Sequence, residues 1–406
     1  MNQPLDMMAD WRLPQARLAA GPSVWVQGPV WDSVWMLNAL WLTPLALWLG
    51  SGHADRQGPL DALYLVITAL FWLGHRFGSA WLAYATEAYR PLLRAQPVRF
   101  VVLPALVTLA CFAILLPPDN ALPLTRLERF TGLAILDYAA STYHFGAQHF
   151  GALSLYRARA GQAACCETRR RDRLFALGVG GALIFVADAL AGAAAYQDHW
   201  MPAGFASWLE PLRYGATALL ALATAAMLWM ELRAPRPSLP RILYVGGLAA
   251  MVAVALQPRG LFVFLVIWTS QHWILASGLM SRTPRLEPAP DVEPISSGMP
   301  ISSRMKVRRA LHALNSRGWA LVLLAMLISA LLLPVFEVEA NWQDAGAYYG
   351  DRIFGSFAAA LRTSPLVPAL LALGLASGFV HYLLDRAVYR MSDARVRNAA
   401  RGLLSA

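Results

Sequence analysis

The sequence predicts an all-α protein, a polytopic bundle of about ten transmembrane helices with both termini in the cytoplasm. Three observations support this fold class. Of the 406 residues, 57% are hydrophobic and only 14% are charged, whereas a soluble protein carries about 25% charged residues. The apolar residues gather into runs of transmembrane length. The basic residues lie between those runs, and most fall on one side of the predicted membrane.

Ten apolar segments approach the length of about 20 residues that a transmembrane helix needs. Because an unpaired backbone group is costly in lipid, each segment is predicted to be helical. The third, seventh and ninth are the shortest. The ten segments are Trp31–Leu49, Leu60–Tyr84, Phe100–Leu116, Thr131–Leu155, Phe175–Tyr196, Tyr214–Leu232, Ile242–Gln257, Leu261–Met280, Trp319–Val335 and Pro365–Leu384.

The distribution of basic residues predicts the orientation. Ten spans place both termini on one side, and the loops and tails of that side carry 26 Lys and Arg residues. The opposite side carries seven, and Arg76 lies within a span. The positive-inside rule makes the first side cytoplasmic. This topology accounts for the net charge of +10, so we expect membrane lipid and no nucleic acid as a partner.

Composition divides the chain into three parts of one integrated membrane domain. Residues 1–282 form an eight-span unit that carries most of the histidines. Residues 283–318 form a Pro/Ser-rich cytoplasmic linker, and residues 319–406 add two spans and a basic C-terminal tail. The segment Glu337–Arg362 is acidic and aromatic, and we expect it to form a small outer cap without a catalytic role.

Five of the eight histidines lie within predicted spans: His75, His144, His149, His272 and His381. Ionisable residues in spans are rare, face the interior and mark functional sites. All four helices concerned run towards the cytoplasm, and each histidine lies about 8–22 Å before the next cytoplasmic Arg. A shared depth favours a metal site between helices. Because the outer halves of these spans are almost entirely apolar, we expect access from the cytoplasm or the inner leaflet.

Polar residues near these histidines are candidates for further ligands or for partners of the imidazoles. A metal-bound imidazole usually donates its other N–H to an acceptor. His144 and His149 lie about 140° apart around an ideal helix. Either the helix is distorted near Gly146, or the two serve two metals, or one binds the metal and the other supports it. The candidate partners are Asp137, Gln148, Gln271, Asp385 and Asp188.

These residue types predict the cofactor and the class of reaction. Histidine with carboxylate suits non-haem iron, and no cysteine accompanies the histidines. We therefore expect one or two irons in a membrane-embedded oxidoreductase that uses O₂. Its substrate is hydrophobic or small and diffusible, and an electron donor acts from the cytoplasm. Two other hypotheses remain open: a haem-b electron-transfer protein linked to quinone, and a transporter of a metal or small molecule.

Short motifs resemble a known family. His75, the helix with His144 and His149, and the late-span histidine resemble the Brp/Blh type of β-carotene dioxygenase. The motifs HFGAQHFG from His144 and HYLLDR from His381 also resemble a broader set of uncharacterised bacterial membrane proteins. The resemblance implies a helical bundle around one histidine-bound iron that cleaves a lipophilic polyene with O₂. It also implies the bacterial inner membrane as the location.

Overall fold

The computed structural model describes residues 23–50, 59–162, 165–196, 204, 206–257, 261–283, 303–340, 353–400 and 403, and all regular structure among them is helical. The helices are α1 Pro29–Trp35, α2 Ala39–Gly50, α3 Pro59–Ile67, α4 Leu73–Ala85, α5 Arg90–Ala95, α6 Leu103–Leu115, α7 Arg126–Arg159, α8 Cys166–Leu177, α9 Leu183–Tyr196, α10 Ala206–Leu232, α11 Leu239–Ala255, α12 Leu261–Arg282, α13 Ser303–Ser316, α14 Gly318–Ala340, α15 Ser356–Arg362, α16 Val367–Val388 and α17 Ala394–Ala399.

Each of the ten predicted segments is mostly helical, with differences of one or two residues at some ends and a break in the first, which confirms the all-α class. Within the described residues, five helices are long and apolar enough to cross a membrane, or six if the bent pair α1 and α2 counts as one span. The chain is therefore a membrane protein. The five are Val98–Leu115, Cys166–Ala191, Ala206–Leu232, Gly318–Glu339 and Val367–Val388.

The first predicted span is not one straight helix. Helices α1 and α2 meet at a bend of 46°. Asp32 accepts hydrogen bonds from the backbone N–H groups of Val26 at 2.9 Å and Gln27 at 3.0 Å, which folds the entering chain onto α1. At the bend, Asn38 Nδ2 donates to the carbonyl oxygen of Gln271 at 2.8 Å. This hydrogen bond links the bend between α1 and α2 to a backbone carbonyl group of α12.

A π-helical turn, Thr68–Trp72, joins α3 to α4 just before His75. Where the helical hydrogen-bond ladder changes, the backbone N–H of Leu73 donates to Ser329 Oγ of α14 at 3.1 Å. Such turns often occur at functional sites because they shift the helical phase of the residues that follow. Further π-helical turns are Val98–Val102 before α6 and Gly178–Ala182 between α8 and α9.

Helix α7 is the longest described helix and carries two of the candidate histidines. Its first turn has a capping box: Thr125 Oγ1 accepts from the Glu128 N–H, and the Glu128 carboxylate accepts from the Thr125 N–H at 2.8 Å. Thirty-four residues give a length of about 50 Å, which exceeds the bilayer core of about 30 Å.

Four helices surround the centre of the bundle: α16 packs against α4 and α7, α4 packs against α12, and α4, α12 and α16 also pack against α14. Small residues permit the close approach. A Cβ atom placed on Gly78 of α4 would lie 2.7 Å from Met280 Sδ of α12. A larger residue there would push α4 away from α12, and with it the histidine that α4 carries one turn earlier.

Two boundaries differ from the predicted ones. Helix α13 lies within residues 283–318, so the second half of the predicted linker is helical; residues 284–302 lie outside the described residues. Glu337 and Glu339 belong to α14 instead of the outer loop, because α14 continues past Val335 to Ala340. Residues 341–352 of the predicted cap are outside the described residues, and the segment ends in α15.

Candidate metal centre

Four of the predicted histidines meet in one place, each from a different helix: His75 from α4, His144 from α7, His272 from α12 and His381 from α16. All four side chains are buried. Going round this four-histidine cluster, neighbouring ring centres are 5.0, 4.9, 4.9 and 4.6 Å apart, in the order His75, His272, His144, His381 and back to His75. The rings of His272 and His381 face each other across 6.4 Å.

These distances fit a single metal ion. Half of the 6.4 Å separation is about 3.2 Å. A metal–nitrogen bond of about 2.1 Å places the centre of an imidazole ring about 3.2 Å from the ion. Nitrogens of His75, His272 and His381 all lie within 4.8 Å of one another. A second group with the same property contains His144, His381 and Asp385, so the two groups share His381.

Unpaired nitrogens give the cluster its chemical character. His75 Nδ1, His144 Nε2 and His381 Nε2 are buried and have no hydrogen-bond partner. A buried polar atom without a partner costs free energy, so native structures rarely leave several together. Neutral imidazole nitrogen is the commonest protein ligand for metals. A bound ion would pair these nitrogens at once.

Polar side chains contact the imidazole rings of the cluster and hold their orientation. His272 Nδ1 donates to Gln148 Oε1, which leaves Nε2 of the same ring as a lone-pair donor. His381 Nδ1 lies 3.3 Å from Ser79 Oγ and 3.7 Å from Asp385 Oδ1. The other carboxylate oxygen of Asp385 is 3.5 Å from His144 Nε2. Gln148 and Asp385, both predicted as partners or further ligands, thus contact the cluster.

Aromatic rings close the sides of the cluster. Phe145 packs edge-on against His272 with ring centres 4.0 Å apart. Trp273 stacks on His75 at 5.9 Å, with an angle of 28° between the planes. These contacts limit ring rotation and exclude water from the centre.

His149 does not join the cluster. Helix α7 is regular through Gly146, so the turn of about 140° between His144 and His149 is kept. His149 Nδ1 is 2.7 Å from the Tyr244 hydroxyl, and the ring fits against Gly180, where a Cβ atom would lie 2.3 Å from His149 Cδ2. The structure therefore supports neither the distorted helix nor His149 as a ligand of the same ion.

The remaining polar candidates have other partners. Asp188 accepts from the Tyr138 hydroxyl. Asp137 is hydrogen-bonded to Tyr382, whose ring centre is 4.9 Å from that of His144. Gln271 lines a separate cavity beside α2. Of these three, only Asp137 is connected with the cluster, through one intervening side chain.

Arg76 and Glu339 are polar residues that sequence reasoning did not place here. Arg76 Nη1 is 3.8 Å from Glu339 Oε2 and donates to Ser377 Oγ at 3.1 Å. Its guanidinium also lies over the ring of Trp72, 4.9 Å from the centroid. Arg76 directly follows His75 on α4, so this ion pair places charged groups beside the cluster. The sequence shows Arg76 as a charge inside a span, but it predicts that the ninth span ends at Val335 and so places Glu339 in a loop.

Comparison with family models, with curated proteins and with solved structures finds no match for this chain. The resemblance to the Brp/Blh type therefore stays a prediction. The fold and the site by themselves define a class: an all-helical membrane protein in which four helices bring four buried histidines together.

Proposed function

We propose that this chain is a membrane-embedded non-haem iron oxidoreductase that uses O₂ and acts on a hydrophobic or small diffusible substrate. The observation that carries the proposal is the four-histidine cluster with three buried, unpaired nitrogens. His75, His144, His272 and His381 would hold the ion, which would supply Lewis-acid and redox chemistry when bound. The chain itself orients the imidazoles through Gln148 and Asp385 and excludes water.

The donor set and its shape favour iron over zinc. Zinc in proteins is almost always tetrahedral, which would make all the ring separations equal, whereas His272 and His381 are 6.4 Å apart and neighbouring rings only 4.6–5.0 Å. Copper(II) also accepts a tetragonal set of nitrogens, but a carboxylate beside histidines is typical of non-haem iron. Asp385 supplies that carboxylate, 3.5 Å from His144 and 3.7 Å from His381.

The haem alternative is disfavoured by the spacing of the rings. The rings of His75 and His144 are about equally distant from those of His272 and His381, at 4.6–5.0 Å. They therefore occupy the plane in which a porphyrin between His272 and His381 would lie. The transporter alternative has less support because a transport path needs polar residues along the whole crossing, whereas the outer halves of the histidine-bearing spans are almost purely apolar.

We further propose ten spans with both termini in the cytoplasm of a bacterial cell, in the inner membrane. The asymmetry of 26 against seven basic residues and the helical structure of all ten segments support it. A reporter fused after Ala406 that is active only in the periplasm should remain silent. Activity of that reporter would contradict the topology.

The proposed route for substrate and electron donor is from the cytoplasm or the inner leaflet. The pairing of Arg76 with Glu339, next to Trp72, occupies the outer side of the cluster and supports this direction. The almost purely apolar outer halves of the histidine-bearing spans support the same direction.

Metal analysis combined with a visible spectrum tests the proposal. Purified protein is expected to contain about one iron per chain. Its visible spectrum is expected to lack the intense Soret band of haem. In a second step, the iron-loaded protein is expected to consume O₂ when a reductant is supplied. Stoichiometric copper or zinc, or an intense haem band, would reject the iron assignment.

A further inference from the structure

Tyr382 directly follows His381 on α16 and packs against the four-histidine cluster. Its ring centre is 4.9 Å from that of His144, with an angle of 39° between the planes, and 5.6 Å from that of His381. Tyrosine, like tryptophan, can lose a single electron to a strongly oxidising iron centre. The fold therefore places an oxidisable ring in contact with two of the proposed iron ligands.

Asp137 of α7 gives Tyr382 a proton acceptor. The Asp137 carboxylate is hydrogen-bonded to the Tyr382 side chain. The two helices approach closely here because of Gly378, where a Cβ atom would lie 2.8 Å from Asp137 Oδ1. A phenol that loses an electron becomes a strong acid, so its hydroxyl proton passes to a base within hydrogen-bond reach. Asp137 thus makes the loss of an electron from Tyr382 easier.

Arg76 and Glu339 keep the charge balanced when the proton moves. The Arg76 guanidinium carbon would lie 3.9 Å from the same Cβ atom on Gly378, so Arg76 and Asp137 meet at this glycine. Once Asp137 has taken the proton, Arg76 still has Glu339 as a partner at 3.8 Å. The proton transfer therefore leaves no cation without a counter-charge in this buried region.

Trp268 is an oxidisable ring that lacks such a base. It is connected to His272 through Phe145, with ring centres 4.7 and 4.0 Å apart at the two contacts. Its buried Nε1–H has no hydrogen-bond acceptor. Loss of an electron from Trp268 would leave the positive charge on a buried ring, whereas Tyr382 passes its proton to Asp137 and becomes neutral.

We propose that Tyr382 is a redox-active residue that supplies one electron to the metal centre. The electron passes from the Tyr382 ring to the oxidised iron, which is reduced by one unit, and the hydroxyl proton passes to Asp137. Tyr382 becomes a neutral radical and Asp137 a carboxylic acid. An electron from the cytoplasmic donor and the proton held by Asp137 then restore the phenol. The step rests on the proposed function because it needs an oxidised iron.

A second tyrosine–aspartate pair provides the control. The Tyr138 hydroxyl donates to Asp188, and the Tyr138 ring packs against Phe185 with ring centres 5.3 Å apart. The chemistry of this pair is the same, but the pair lies away from the cluster. Tyr138→Phe and Asp188→Asn therefore repeat the changes Tyr382→Phe and Asp137→Asn at a place where no electron transfer to the iron is expected.

The test is electron paramagnetic resonance of the full-length, iron-loaded protein, frozen after it is mixed with hydrogen peroxide. We expect a radical signal that narrows when the protein contains ring-deuterated tyrosine. Tyr382→Phe should lower the signal per bound iron at least about tenfold, and Asp137→Asn at least about threefold, because the first removes the electron source and the second the base. Tyr138→Phe and Asp188→Asn should leave the signal unchanged.

Iron per chain is measured in every sample, and helicity is checked by circular dichroism. Full iron without a tyrosine signal, or an equal signal in Tyr382→Phe and Tyr138→Phe, would overturn the inference and leave the iron assignment intact. A signal that narrows only with ring-deuterated tryptophan would also overturn it. A wild-type protein that binds no iron would reject the proposed function and this inference with it. Tyr382→Phe and the deuterated wild type decide the outcome even if Asp137→Asn does not fold.

Discussion

Two groups of buried polar side chains differ in how completely their members pair. One is the four-histidine cluster. The other, here called the ion network, consists of Arg157, Asp172, Glu231 and Arg241. Arg241 contacts Asp172 at 2.5 Å and Glu231 at 2.7 Å, and Arg157 pairs with Asp172 as well. Glu231 also accepts hydrogen bonds from Gln162 Nε2 at 2.7 Å and the Ser238 N–H at 2.9 Å.

This difference distinguishes buried polar residues that stabilise the fold from buried polar residues that bind a ligand. The ion network has two cations and two anions, so its charge is balanced within the protein, and it joins α7, α8, α10 and α11. In the four-histidine cluster three buried nitrogens have no hydrogen-bond partner, and the four rings lie close together without a matching set of charges. A self-paired group holds helices together, whereas a convergent unpaired group requires a ligand.

The largest expected effect is loss of metal from the cluster. His272→Ala or His381→Ala should lower iron affinity by more than about 100-fold, because each removes a direct ligand, and removal of a mere supporting partner already costs about 10–100-fold. Iron per chain is measured by elemental analysis, and folding by circular dichroism. His149→Ala is the control and should keep its iron. Full occupancy in both ligand variants would reject the assignment.

The second effect is on stability alone. Arg241→Met should lower the free energy of unfolding by about 3–5 kcal/mol, because it leaves Glu231 and Asp172 with uncompensated buried charge. Thermal unfolding in detergent measures the change, and iron per folded chain should stay the same. Arg233→Met, at an exposed position, should have little effect. Loss of iron without loss of stability in Arg241→Met would erase the distinction between the two groups.

The third effect concerns the partners behind the ligands. Gln148→Leu should weaken iron binding about 10–100-fold, because His272 loses the acceptor that fixes its tautomer. Asp188→Asn is the matched control, since Asp188 pairs with Tyr138 away from the cluster. Iron affinities are compared by competition with a chelator. An equal loss in both variants would show that the change acts through general packing.

The smallest effect concerns a paired group at the surface. Asp393 caps α17 by accepting from the Arg395 N–H at 2.9 Å and also accepts from Gln96 Nε2 at 3.1 Å. Partial burial raises the pKa of Asp393, but these hydrogen bonds outweigh it and lower the pKa below 3.8. Asp393→Ala should cost about 1 kcal/mol or less at pH 7.

Because the folded-state pKa of Asp393 is lowered, its contribution is complete above 3.8 and is lost as the pH falls through the lowered pKa. Unfolding midpoints of metal-free wild type and Asp393→Ala should therefore converge at a pH well below 3.8. A difference that persists in acid would show that the cap does not depend on the charge.

The sequence by itself predicted the helices and a shared site for His75, His272, His381 and the histidines of α7. A long apolar segment can pair all its own backbone groups in lipid only as a helix. A histidine in such a helix must face other protein groups. The pairing of His381 with Asp385 also followed from helical spacing.

Only the tertiary structure decided between His144 and His149. Their angle on α7 is a property of any helix, but the choice of which one faces the centre depends on neighbours distant in sequence: Gly180 makes room for His149, and Tyr244 binds it. Likewise the pairing of Arg76 with Glu339 and the unpaired Oε1 of Gln271 arise where separate helices meet. Periodicity along one helix fixes which residues share a face, but the contacts across helices depend on how the helices pack.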